Sequence, residues 1–173
     1  MSTLKVGTIQ DHAYGNNALV IDSSGRVTQP AKPAFRAEKR ASNQTYSGGQ
    51  PKVTFEHETF DIGSNYDTSN SRFVAPVSGV YFFQSILRFV GDNNTLDYGK
   101  LMLFINGSIN SDLFQFNVRA DYMQNSHVNG SCLVQLNAND TVGYHPYIGS
   151  NSNVTITANA SHTYFTGALL YEV

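Results

Sequence analysis

Short apolar runs alternate with clusters of Gly, Asn, Asp and Ser along this chain, and no stretch keeps a helical repeat of useful length. That pattern predicts an all-β sandwich or barrel. Candidate turns lie at residues 22–25, 91–94, 129–130, 139–140 and 149–151, and at Asn106-Gly107. The last is the sharpest, because both central residues of a type I′ turn need positive φ, which Asn and Gly tolerate best. Two strands carry a second message. In residues 100–105, Leu101, Leu103 and Ile105 share one face while Met102 and Phe104 share the other. In residues 79–90, Tyr81, Phe83, Leu87 and Phe89 oppose Val80, Phe82, Ile86 and Val90. A half-exposed antiparallel strand alternates apolar with polar, so two apolar faces imply a sheet covered twice. A neighbouring subunit is the simplest second cover.

Residues 1–33 read as a separate β arm. Leu4, Val6 and Ile9 form one strand-like segment, and residues 18–21, containing Leu19 and Ile21, lead through a Ser-Ser-Gly turn into a small hairpin. Pro30 and Pro33 then make a stiff linker, since proline restricts its neighbours and disfavours continued sheet pairing. The arm is too short to bury its own apolar face. It is expected to dock elsewhere, as an anchor on a partner or as a clasp among copies.

The remaining residues, 34–173, carry a spaced aromatic signature. Phe55, Asp61, Tyr66, Phe73 and Gly79 are separated by five, four, six and five residues, and Tyr81 and Phe83 follow on alternate positions. This run resembles the signature of the globular head of complement component one, subcomponent q, a branch of the tumour-necrosis-factor-like trimeric jelly rolls. Ser85 departs from it, standing where the family has a further aromatic. The Asn106-Gly107 hairpin and the closing run from Phe165 through Leu169 to Tyr171 extend the resemblance over most of the chain. What it implies is an antiparallel jelly-roll head assembled as a homotrimer, with Phe73, Tyr81, Phe83, Leu103, Phe165, Leu169 and Tyr171 in the core or the trimer interface. The arm, with its apolar-Asp-Ser-Ser-Gly-x-Val turn, joined to such a head is similar to structural proteins of tailed bacteriophages.

Composition narrows the function classes. A chain of 173 residues can bury a real core without covalent staples. The single Cys132 excludes an internal disulfide, and its apolar neighbours Leu133 and Val134 mark it as a packed thiol. The first residues lack the basic and apolar regions of a signal peptide, and nowhere do about 18 apolar residues run together. A protein made in a host cytoplasm, without membrane insertion, is the expectation. A net charge of −2, with 14% charged residues, argues against a nucleic-acid surface. The basic cluster from Arg36 to Arg40 reads as a solvated strand face.

Little else suggests chemistry. Glu56 and Glu58 would project from one face of a strand, the spacing of a paired-acid glycosidase, but nothing marks a cleft around them. No Gly-x-Ser-x-Gly elbow or phosphate loop occurs, and the five histidines show no ligand spacing. Some members of the resembled family bind calcium, and Asp92, Asp97, Asp112 or Asp121 could serve as its oxygen donors, without a motif to unite them. The expectation is therefore a non-enzymatic protein with no cofactor and no assigned metal. Its role would be capsid decoration or a short tail fibre in a virion, with the arm on other virion proteins and the heads toward a host cell-surface glycan. Residues 92–97, 121–129 and 144–153 are the expected distal loops, with Tyr122 and Tyr147 as sugar-stacking rings. A secreted recognition or signalling ligand and a glycan-degrading spike are the alternatives.

Overall fold

The computed structural model describes residues 4–10, 12–91, 96–117, 124–149 and 153–173. Its strands are β1 (Thr8–Gln10), β2 (Asn17–Ile21), β3 (Val27–Thr28), β4 (Ala34–Glu38), β5 (Gln44–Tyr46), β6 (His57–Ile62), β7 (Tyr66–Asp67), β8 (Arg72–Val74), β9 (Gly79–Gly91), β10 (Tyr98–Ile105), β11 (Ser108–Asn117), β12 (Asn125–Leu136), β13 (Thr141–Ile148), β14 (Val154–Ile156) and β15 (Tyr164–Glu172). The first three make a three-stranded sheet of their own. The rest form two facing antiparallel sheets. One runs β7-β8-β13-β10-β11. The other runs β6-β4-β15-β9-β12, with β14 pairing the last residues of β9 beyond the reach of β15, and β5 pairing β14. Strands far apart in sequence lie side by side, as in the antiparallel jelly roll that the family resemblance implies.

Alternation on β9 fills the space between the sheets. Tyr81, Phe83, Leu87 and Phe89 point inward and are fully buried. Aromatic rings dominate around them: Phe35 stacks on Tyr66 and Phe73 with centroids 4.9 and 5.1 Å apart, and Phe165 meets Phe35 and Tyr144 edge-on. Offset and edge-on pairs of this kind contribute about 0.5–1.5 kcal/mol each beyond burial. Of the seven residues assigned to core or interface, six are buried inside one chain, whereas Tyr171 is 58% exposed.

The aromatic signature has a physical reason at several of its positions. Tyr66 donates from its hydroxyl to the Phe55 carbonyl at 3.1 Å, and its N–H donates to Asp61 at 2.9 Å, so the turn between β6 and β7 is tied from both sides. Gly79 leaves room for β15: a Cβ there would lie 2.7 Å from both Leu169 Cδ1 and the Tyr171 carbonyl oxygen. Ser85 is buried, and its hydroxyl donates to the Tyr164 carbonyl at 2.9 Å, so the polar substitute is satisfied.

Turn chemistry agrees at Asn106 and Gly107, whose φ values are 51° and 77°, and at Asn139, with φ 72°. It fails at Asn129-Gly130, which lies within β12. Glycine is needed there for packing, because a Cβ on Gly130 would sit 2.5 Å from Leu113 Cβ on β11. The double cover inferred for β10 is also corrected. Met102 and Phe104 are buried within one chain, and Phe104 stacks on His145 with ring centroids 4.0 Å apart, so no second subunit is required at that face.

The segment from Arg36 to Arg40 is not a solvated face either. Glu38 is 4% exposed and bridges Arg36 and Arg40, both at 2.8 Å, while Lys39 is buried with its ammonium on the Thr54 hydroxyl at 2.9 Å. Burial by itself raises the Glu38 pKa, but hydrogen bonds from Arg36 and Arg40 outweigh it and hold the carboxyl below its ordinary 4.5. A folded pKa below the unfolded one contributes stability above pH 4.5, lost as pH falls through the folded value. Glu38→Gln should therefore cost about 2 kcal/mol near neutral pH and flatten the acid limb of the stability curve. Urea unfolding across that pH range measures it, and parallel limbs in both proteins would contradict the pairing.

Candidate functional site

The paired acids sit in different settings. Glu56 accepts hydrogen bonds from the backbone N–H groups of Arg40, at 2.7 Å, and Ala41, so its carboxylate ties down the chain leaving β4. Those donors outweigh the effect of burial and keep its pKa below the ordinary value. Glu58 lies exposed on the edge strand β6. Asp112 is engaged with Lys100 at 2.6 Å. Among the described residues no group of three or more His, Cys, Asp or Glu side chains is placed to hold a metal ion. Cys132 is half-buried, and burial pushes its thiol pKa up, away from nucleophilic use.

The expected distal loops are only partly loops. Residues 125–129 begin β12, and residues 144–148 belong to β13, where Tyr144 is core. Their alternating side chains satisfy a sheet that their Asn and Tyr content does not advertise. Tyr147 is half-buried on β13, edge-on to Tyr98 at 5.6 Å. Tyr122, Asp121 and Asp92 lie outside the described residues.

A better candidate surface emerges on the outer face of the larger sheet. Register places Ile62, Ala34, Ala168, Phe82 and Leu133 in one cross-strand row over β6, β4, β15, β9 and β12. All five are apolar, Leu133 is 60% exposed, and Ile62 and the neighbouring Phe60 are both 45% exposed. The next row is polar, Phe60 apart: Arg36, Thr166, Gln84 and Ser131. Alternation along β9 already marks Phe82 as facing away from Tyr81 and Phe83. Its four row neighbours become visible only once strand order and register are known.

The arm sheet lies beside one end of this face. The Pro33 carbonyl accepts from the Leu169 N–H at 3.0 Å and Lys32 donates to the Leu170 carbonyl at 2.8 Å. A hollow between arm and head is lined by Ala18, Gln29, Ala31, Leu170 and Tyr171. Leu19 and Ile21 are half-buried, whereas Leu4, Val6 and Ile9 remain exposed.

A protein-family model for the C1q domain matches residues 34–170. The chain belongs to the C1q domain family. Solved structures agree with that fold. The globular domain of zebrafish complement 1qA superposes with a TM-score of 0.56 at 20% identity, covering 82% of this chain and 99% of that one. The Eiger TNF structure from S. frugiperda gives 0.64 at 11% identity, covering 83% of this chain and 95% of that one. Among curated proteins, the phage-like element PBSX protein XkdV of Bacillus subtilis (strain 168) is 28% identical over 129 residues, 72% of this chain. The match spans only 18% of that relative's length. The C1q domain here thus joins a jelly-roll core to an apolar outer sheet face, and its closing strand β15 contributes to both.

Proposed function

We propose that this C1q-domain protein is a non-enzymatic, homotrimeric surface component of a phage-like particle, serving as capsid decoration or a short tail fibre. The observation that carries this reading is the uncovered apolar row from Ile62 through Phe82 to Leu133. A contiguous apolar strip across five strands of a sheet face is the kind of surface that a protein partner removes from water. The domain family, whose members commonly assemble in threes, and the phage-like relative support a second and third copy as that cover. Residues 1–33 act as the anchor, and the exposed Leu4, Val6 and Ile9 dock on another particle protein. Three outward heads then multiply weak contacts to a host glycan through effective concentration.

Light scattering after size exclusion, on the full chain beside one lacking residues 1–33, tests the assembly. Trimers in both are the expected result, with the head holding the trimer and the arm left for anchoring. A trimer that becomes monomeric without the arm would make the arm the clasp instead. Monomers throughout would remove the basis for multivalent contact.

A further inference from the structure

On the smaller sheet, facing away from the apolar row, a hollow of about 230 Å³ opens over β13 and β10. Its walls include Lys52, Arg72, His145 and Phe104, with Gly107 and Gly143 at the backbone. Both glycines border open space: a Cβ on Gly107 would meet nothing within 4 Å, and one on Gly143 would come no nearer than 3.8 Å to the Ser71 carbonyl oxygen. From these features we propose that the hollow binds a singly charged oxyanion, the carboxylate or phosphodiester group of an acidic surface polymer.

Charge favours that occupant. Two cations face the hollow in a protein whose net charge is −2. Burial lowers the Lys52 pKa, and the nearby Arg72 lowers it further, so the two like charges feel each other; Asp67 acts in the opposite sense. Asp67 reaches Arg72 Nε at 3.3 Å but also accepts from the Asn70 N–H at 3.0 Å and side-chain amide at 2.7 Å. One carboxylate is thus shared against two cations, which leaves an excess of one positive charge. A planar guanidinium and a mobile ammonium together match the oxygens of a carboxylate or phosphodiester.

The floor supplies the remaining recognition. His145 lies against Phe104 with ring centroids 4.0 Å apart, and the two rings line the hollow together. Burial keeps the His145 pKa below its ordinary 6.5 against the pull of the Gln50 carbonyl, and Lys52 pushes the same way, so the ring is neutral near pH 7. Phe104 and the two glycines offer an apolar bed for the carbons of a sugar or polyol. Lying on the sheet opposite the apolar row, the hollow stays open when that row is covered.

The biological setting rests on the host-contact reading above, but binding itself is measurable on small probes. Proton–nitrogen NMR titrations of the full chain should use methyl glucuronide, dimethyl phosphate and neutral methyl glucoside. Saturable shifts of His145 and of residues 104–107 and 141–145 are expected with at least one anion and not with the glucoside. Glucuronide alone would assign a carboxylated glycan, dimethyl phosphate alone a polyol-phosphate polymer, and both a general oxyanion site. Lys52→Met with Arg72→Met should weaken the response about tenfold or more, while the melting temperature holds because both side chains are exposed. No saturable shift with either anion, or an unchanged response in the double variant, would overturn the site. Anion binding without adsorption to cells would leave the pocket standing and remove only the host-contact reading.

Discussion

Phe83→Ala is expected to bring the head close to unfolding. The ring is fully buried and lies 5.5 Å from Phe73, 5.9 Å from Phe165 and 6.0 Å from Tyr81, centroid to centroid, so truncation opens a cavity where three rings meet. Phe-to-Ala changes at such sites cost about 3–5 kcal/mol, a large part of the roughly 5–15 kcal/mol that holds a domain together. Gly167 supplies the internal control. It pairs across from Phe83, and a Cβ on it would lie 2.4 Å from Phe83 Cδ1 and 2.9 Å from Phe35 Cε1. Gly167→Ala alone should therefore destabilise by about 1–3 kcal/mol through overpacking. Combined with Phe83→Leu it should cost less than the two single changes together, because the smaller residue frees the space that the new methyl occupies. Urea unfolding of the four proteins of this cycle, with Phe83→Ala as a fifth, is the measurement. Strict additivity, or a Phe83→Ala loss within about 1 kcal/mol, would mean that the core does not depend on this contact.

Tyr81 and Phe83 were legible as inward positions because a strand repeats every two residues and the inward positions of a sandwich must be apolar, whereas Phe55, Tyr66 and Phe73 were legible only through the family resemblance. Asn106-Gly107 was legible because its backbone requirement is local. Gly130 was not: the same dipeptide chemistry serves a turn at Gly107 and close packing at Gly130, and the choice depends on Leu113, distant in sequence. Glu38 and Lys39 were misread for a related reason. Their charges are buried only because Arg36, Arg40 and Thr54 converge on them, partly across strands. Tyr144 looked like a loop residue from its polar neighbours, yet alternation on β13 sends it into the core. The apolar row and the Lys52–Arg72 hollow required the register itself, since their members are scattered over most of the chain.

Leu133→Asp should dissolve the proposed trimer while leaving the protomer folded. Leu133 is 60% exposed in the single chain, at the β12 end of the apolar row, so an aspartate there stays solvated in a monomer. Exposed substitutions of this kind usually change protomer stability by about 0.5 kcal/mol or less. In the assembly the same carboxylate would be buried beside Phe82 without a cation, a defect that costs about 3–5 kcal/mol per site. Symmetry repeats the defect in each copy, so the total is on the order of 10 kcal/mol, comparable with the whole free energy of a nanomolar association. Light scattering should then give one chain's mass where the unaltered protein gives three, with the far-ultraviolet circular dichroism unchanged. Arg72→Met, on the opposite sheet, should leave the mass at three chains. If Leu133→Asp also kept the triple mass, the apolar row would not be the subunit interface, and an anchoring partner would become the occupant to seek.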